Sequence, residues 1–398
     1  MGFQTTQAEQ STHVGGLSSL RASGWLRASG WLRGSGTAAL ALLVGVTGCA
    51  GGSADQPADR SEVTAQIASE VIVPGYEDLA ADTAELAERT EELCAAPDQA
   101  ALESARQAWD AAMGAWMWAS AFGFGPVRSL RTDAKIAYPA DVAKVEELAG
   151  DEGTVALDEA SVGGLGADAR GLNAVQYLLF SPADVEQLTP RACTYAAVAS
   201  ALVSAGATEV LEAWTDGSDG EPPMLQQFSS PGPDSMWSSP TEALEDVLNS
   251  MLGTLTAVID RGLGPASGET TAEPEPQVVD EAPAHRALQD MADQLGGVAA
   301  VYGDSTDEPP TGVSWLVTSS SEHNSDAAIR SDLADAMDEV GLVPPPLFDL
   351  DPAEADSPAM ESLISASQHA MAVRSALSTE VASLLGLTVG FSDSDGDA

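Results

Sequence analysis

Lysine is nearly missing from this chain. Lys135 and Lys144 are the only two in 398 residues, and Lys plus Arg total 16 against 61 Asp plus Glu. A formal net charge of -45 repels a polyanion, so nucleic acid is excluded as a partner. The acids are scattered rather than collected in one block, which describes a highly solvated surface or, more sharply, one that gathers cations. Histidine is almost as scarce. His13 falls near the amino terminus, leaving His285, His323 and His369, none with another His three or four residues away, which argues against a preformed zinc site on one helix. His-Glu-x-x-His, G-x-x-x-x-G-K-[ST] and G-x-S-x-G are all absent, removing the common zinc-protease, phosphate-loop and serine-hydrolase readings. Aromatic residues make up 5% of the chain, and apolar residues rarely alternate with period two. Without strand periodicity, and with Ala and Gly abundant, the expected body is all-α.

The amino terminus is more informative. Arg21, Arg27 and Arg33 precede the apolar run 37–46, followed by Val46-Thr47-Gly48-Cys49. This reads as a signal peptide over 1–48, too short to remain as a membrane-spanning helix. Val46 to Cys49 looks like a bacterial lipobox, with Cys49 as the lipidated first mature residue; the alternative is an ordinary Cys49 after a conventional signal peptide. The near-repeat RASGWL-RASGWL points to a true start downstream of Met1. Residues 49–60 are small and polar and read as a flexible tether, and no later apolar run looks long enough to span a bilayer. Anchorage would then rest on Cys49. In an oxidising compartment the other two cysteines, Cys94 and Cys193, form either one disulfide or two buried free thiols.

Beyond the tether, helical patterns occupy 61–94, with a break at Pro74-Gly75, and 97–121, where Trp109, Met113 and Trp116 mark a buried stripe. Further patterns lie at 141–149, 166–180, 185–214 and 241–261. Prolines at 265, 274, 276 and 283 fall in a stretch without apolar periodicity, so 264–283 is read as a linker. A first helical bundle would then cover 61–263. Helices at 284–302, 323–340 and 357–386 would form a second over 284–398, with an acidic tail. Asp393 to Asp397 resembles a fragment of a calcium loop without its final carboxylate. Arg128, Arg131 and Lys135 form a local basic run, best explained by pairing with nearby carboxylates.

The segment Gly171 to Phe180, GLNAVQYLLF, reads as a buried helix with two amides on one side. It resembles the signature of the imelysin family of bacterial envelope proteins, Gly-x-His-x-x-Glu followed by an apolar Tyr-Leu-Leu run. Gly171 matches, Asn173 stands in place of the His, and Gln176 in place of the Glu. Other segments agree in order: Trp109 to Pro126 resembles the family's Trp-rich helix ending in Phe-Gly-Pro, Tyr138 to Asp141 its Trp-Pro-x-Asp, Glu281 to Asp304 its late helix, and Leu385 to Asp397 its carboxy terminus. The resemblance implies two associated helical bundles, export to the cell envelope, and a role as a metallopeptidase or in iron acquisition.

The departures limit what carries over. His and Glu at i and i+3 share a helix face and a metal ion, whereas neutral amides are poor ligands for iron or zinc and cannot act as bases near neutral pH. Ser120 stands where the family resemblance places a Glu. The expected site is therefore a polar pocket of Gly171, Asn173, Gln176 and Ser120 without catalytic residues. No cofactor is expected, iron, zinc or calcium being the weaker possibility. The function that follows is a lipid-anchored, non-peptidase binding or accessory protein, in contact with the membrane through its lipid and with a possible envelope protein partner. The alternatives are a metal-dependent peptidase using other ligands, such as His285 or His369 with acidic partners, and an envelope interaction protein.

Overall fold

The computed structural model describes residues 58–390 apart from 218–219, 321 and 355–356. The signal peptide, Cys49, most of the tether and the acidic tail lie outside those residues. Among the described residues 72% are helical and none lies in a strand. Helices of eight residues or more are numbered here: α1 Arg60–Ile67, α2 Val73–Ala95, α3 Gln99–Ala119, α4 Val142–Ala149, α5 Leu172–Phe180, α6 Pro190–Thr215, α7 Pro240–Ala257, α8 Ala287–Tyr302, α9 Gly312–Ser319, α10 His323–Leu342 and α11 Pro358–Ala376.

Their starts are written in the sequence. Thr189-Pro190, Ser239-Pro240 and Ser357-Pro358 open α6, α7 and α11. Each hydroxyl accepts a backbone N–H of the first turn, and each proline takes a position whose own N–H would have no partner. Asp98 opens α3 in the same way, accepting from the Ala101 N–H at 2.7 Å.

Pro74-Gly75 does not break the first helix. The chain continues from α1 through a π-helical turn, Ala68–Ile72, into α2. A proline in a helix clashes with the carbonyl four residues earlier, and a wider turn just before it relieves that contact. The same device precedes Gly264-Pro265, where the π turn Val258–Leu263 extends α7 as far as Ser267. The stretch 264–283 is consequently packed. It carries helical turns at Gly264–Ser267 and Pro276–Val279 and buries Ala266, Pro276 and Asp280.

The described residues form one compact unit, and the buried apolar side chains make one cluster from Val63 to Leu387. In the amino-terminal half α2 lies between α3 and α6, with α5 laid across α3 and α6. In the carboxy-terminal half α10 pairs with α11, and α8 joins the two groups by packing on both α3 and α10. The few aromatics are concentrated: Phe124, Trp214, Phe228 and Trp237 interlock with centroids 4.9–6.1 Å apart. Such pairs add about 0.5–1.5 kcal/mol beyond their burial.

Cys94 at the end of α2 and Cys193 at the start of α6 are joined in a disulfide, with Cα atoms 5.5 Å apart and a sequence separation of 99. Contrary to the search for apolar runs, α6 is long and apolar enough to cross a membrane by length and composition. Here its Cys193, Tyr195, Ala199, Val203, Val210 and Trp214 line the core.

Candidate functional site

Helix α5 is held at both ends by α3. The Trp109 Nε1 donates to the Leu172 carbonyl at 2.8 Å, and Arg106 donates to the carbonyls of Leu179 at 2.9 Å and Pro182 at 2.6 Å. Arg106 thus satisfies carbonyls that the end of the helix leaves open. Gly171 turns the chain into α5 with φ of 84° and ψ of -176°, a conformation essentially reserved for glycine. A Cβ at this position would lie 2.7 Å from the Ile136 carbonyl oxygen. The motif glycine therefore has a mechanical reason: backbone meets backbone here.

One turn later the two amides behave differently. Asn173 Nδ2 donates to the Tyr138 carbonyl at 3.0 Å, tying α5 to the loop before α4. Gln176 is 7% exposed and has no hydrogen-bond partner among the described residues. Next to it, Tyr177 donates its hydroxyl to Glu146 on α4, and that acceptor, followed by burial, raises the phenol above its ordinary pKa. Tyr177 is thereby held neutral. Neither amide faces the other as a hydrogen-bonding pair.

Ser120 does not join them. Trp109 marks the level of α5 on α3, and Ser120 lies eleven residues further on, about 16 Å along the axis at 1.5 Å per residue. It accepts from Thr254 Oγ1 at 3.4 Å, and its carbonyl accepts from the Ser250 hydroxyl at 3.3 Å. Ser120 opens instead onto a groove of about 480 Å³ lined also by Arg128, Asp246, Asn249, Arg261 and Gln294. The expected single pocket is therefore two places, one around Asn173 and Gln176 and one around Ser120.

The basic run pairs as expected at two positions. Lys135 binds Glu209, and Arg128 lies 3.8 Å from Asp246. Arg261 has no ion-pair partner among the described residues, so the Ser120 groove holds a cation in an otherwise acidic protein.

The histidines separate clearly. His285 Nδ1 is 2.8 Å from the Asp280 carbonyl, and its ring packs on Phe348 at 4.9 Å, so it fastens the 280s loop to the 347–349 turn. His369 on α11 is different: its Nδ1 lies 2.8 Å from Asp332 Oδ1 on α10, with Asp335 one turn along. The sequence carried a signal for this cluster in the three-residue spacing of Asp332 and Asp335. What it could not reveal was the register of α11 beside them.

No curated protein matches this chain. Solved structures do, among them these two. An imelysin-like protein from Psychrobacter arcticum 273-4 is similar with a TM-score of 0.65 and 16% identity, over 83% of this chain and 97% of its own. An iron-regulated protein A precursor from Parabacteroides distasonis ATCC 8503 is similar with a TM-score of 0.65 and 19% identity, over 81% and 96%. At these identities the likeness shows the fold. The sequence pattern of the imelysin family matches residues 72–378, most of the chain, and with the helical architecture and the Gly171 turn already in place, the protein belongs to the imelysin family.

Proposed function

We propose that this protein is exported, anchored by a lipid on Cys49, and serves in the cell envelope as a binding or accessory component rather than as a peptidase. The observation that carries this reading is the chemistry of α5: the two positions that resemble the family's His and Glu hold neutral amides, Asn173 and Gln176. The Asn173 amide nitrogen is delocalised into its own carbonyl and donates to the Tyr138 carbonyl, which leaves only a neutral amide oxygen as a weak ligand, and Gln176 has no proton to give or take near neutral pH. The Ser120 groove supports binding, since it offers two arginines, Asn249 and Gln294 but no histidine. The name of the Parabacteroides protein, iron-regulated, supports a link to iron uptake. A partner in the envelope fits the same role.

Incubation of the purified protein with casein, with and without chelator, tests the absence of peptidase activity. No cleavage is expected in either arm; cleavage that chelator abolishes and that a Gln176→Ala variant lacks would overturn the reading. Anchorage is checked separately by fractionation, in which Cys49→Ser moves the protein from the membrane to the soluble fraction.

A further inference from the structure

The acidic surface receives an imidazole at one crowded point. Asp332 and Asp335 are three residues apart on α10 and so share a face. Helix α11 runs antiparallel to it, since His369 meets Asp332 while Ser365, a turn earlier, meets Glu339. One donor atom from each of Asp332, Asp335 and His369 lies within 4.8 Å of the others, and among the described residues no other group of three such side chains converges in this way.

The charge there is unbalanced. Asp335 accepts from the Ser331 hydroxyl at 3.2 Å, and among the described residues neither carboxylate has a Lys or Arg partner. Elsewhere the protein does supply such partners: Arg286 is shared by Asp110, Asp290 and Asp293, and Arg330 by Asp304 and Asp326. Two carboxylates and one imidazole at adjoining turns are a donor set suited to a cation.

The donor chemistry selects the ion. One nitrogen and two carboxylate oxygens suit zinc, manganese or iron(II), whereas calcium takes six to eight oxygens. Bonds of about 2.0–2.2 Å to a tetrahedral ion place donors about 3.4 Å apart. The 2.8 Å between His369 and Asp332 and the 4.8 Å limit on the whole group bracket that spacing, so small side-chain rotations that part His369 from Asp332 and draw in exposed Asp335 would reach it. Side chains of His369 and Asp332 are 32% and 28% exposed, which lets an ion enter from solvent and keep water on its open positions. Ser331 orients Asp335 from outside, as partners of metal-binding carboxylates commonly do.

We infer that Asp332, Asp335 and His369 form a binding site for one divalent transition ion of the zinc class, built from residues separate from Asn173 and Gln176. Calorimetric titration of zinc chloride into the chelator-stripped full-length protein is expected to show one saturable equivalent. Asp335→Asn and His369→Ala each weaken it by at least about tenfold, and a double Asn173→Ala/Gln176→Ala variant binds like the wild type. Asp335 is exposed, so its variant keeps the fold, which circular dichroism verifies. No binding in the wild type, or weak unsaturable uptake that is equal in all variants, would overturn the site in favour of general cation attraction by an acidic surface. Loss confined to the double variant would overturn it in favour of α5.

Discussion

At the scale of single residues, polar groups in this protein differ in whether burial is matched by a partner. Gln176 is nearly enclosed and has no hydrogen-bond partner among the described residues, although its amide atoms keep a little contact with solvent. Leaving such a group unsatisfied costs about 1–3 kcal/mol, and the slight residual exposure puts this case at the low end. Gln176→Met, similar in shape, is expected to raise the urea unfolding free energy by about 1 kcal/mol. Arg286 presents the opposite situation, gripped by Asp110 at 2.6 Å, by Asp293 at 2.7 Å and by Asp290. Burial pushes Asp290 up to about 6 despite the guanidinium beside it, with the Asp293 and Asp110 carboxylates adding to the rise. The folded state then holds a proton that the unfolded chain has already released between pH 3.8 and about 6. The contribution is fully present below pH 3.8 and is lost as pH rises through about 6. Asp290→Asn keeps an oxygen for Arg286 and removes the charge, so it is expected to stabilise by about 1–2 kcal/mol at pH 7.5. Chemical denaturation across pH checks this: the advantage shrinks to nothing by about pH 4.

At the scale of elements, the disulfide between α2 and α6 is the strongest single constraint. It closes a loop of 99 residues in the unfolded chain, for which loop entropy alone predicts about 4–5 kcal/mol. A double Cys94→Ser/Cys193→Ser variant is expected to lose about 2–4 kcal/mol and to melt several degrees lower, as a thermal scan of oxidised protein would record. This pairing was open in the sequence, because two thiols 99 positions apart do not say whether their helices end side by side. Helix identity was more legible. Ser239-Pro240 and Ser357-Pro358 stand where the sequence pattern places the starts of α7 and α11, whereas α6 begins at Thr189-Pro190 and not at 185 as its pattern suggests. Pro74 and Pro265 misled for an equally local reason, since a π turn of five or six residues absorbs the proline without ending the rod. Helix α9 escaped notice because Gly312–Ser319 is short and apolar on most sides, with no polar face to betray its period. The candidate site divides along the same line. Gly171, Asn173 and Gln176 are neighbours in sequence and stay neighbours in space, whereas the distance of Ser120 from them and the approach of His369 to Asp332 depend on how helices pass one another.

At the scale of the whole molecule, charge decides how the solvent acts. With 61 acids against 16 bases, carboxylate repulsions outnumber attractions, and such self-repulsion opposes the compact state. Several described arginines sit in close pairs, such as Arg286 with Asp110 and Arg330 with Asp326, where partial burial weakens screening. The repulsions are spread over the exposed surface, where a Debye length of about 10 Å at 0.1 M salt shrinks to about 3 Å at 1 M. Salt therefore removes more repulsion than attraction. The melting temperature is expected to rise by several degrees between about 0.05 and 1 M sodium chloride. Sodium sulfate would mix this effect with exclusion from apolar surface, so chloride is the cleaner probe. Zinc at micromolar concentration changes ionic strength negligibly and, by occupying Asp332, Asp335 and His369, should add a saturable increment. That increment would disappear in Asp335→Asn, while the response to chloride would remain. A melting temperature that fell with chloride would mean that the few close pairs, rather than the many distant repulsions, govern the stability of this acidic protein.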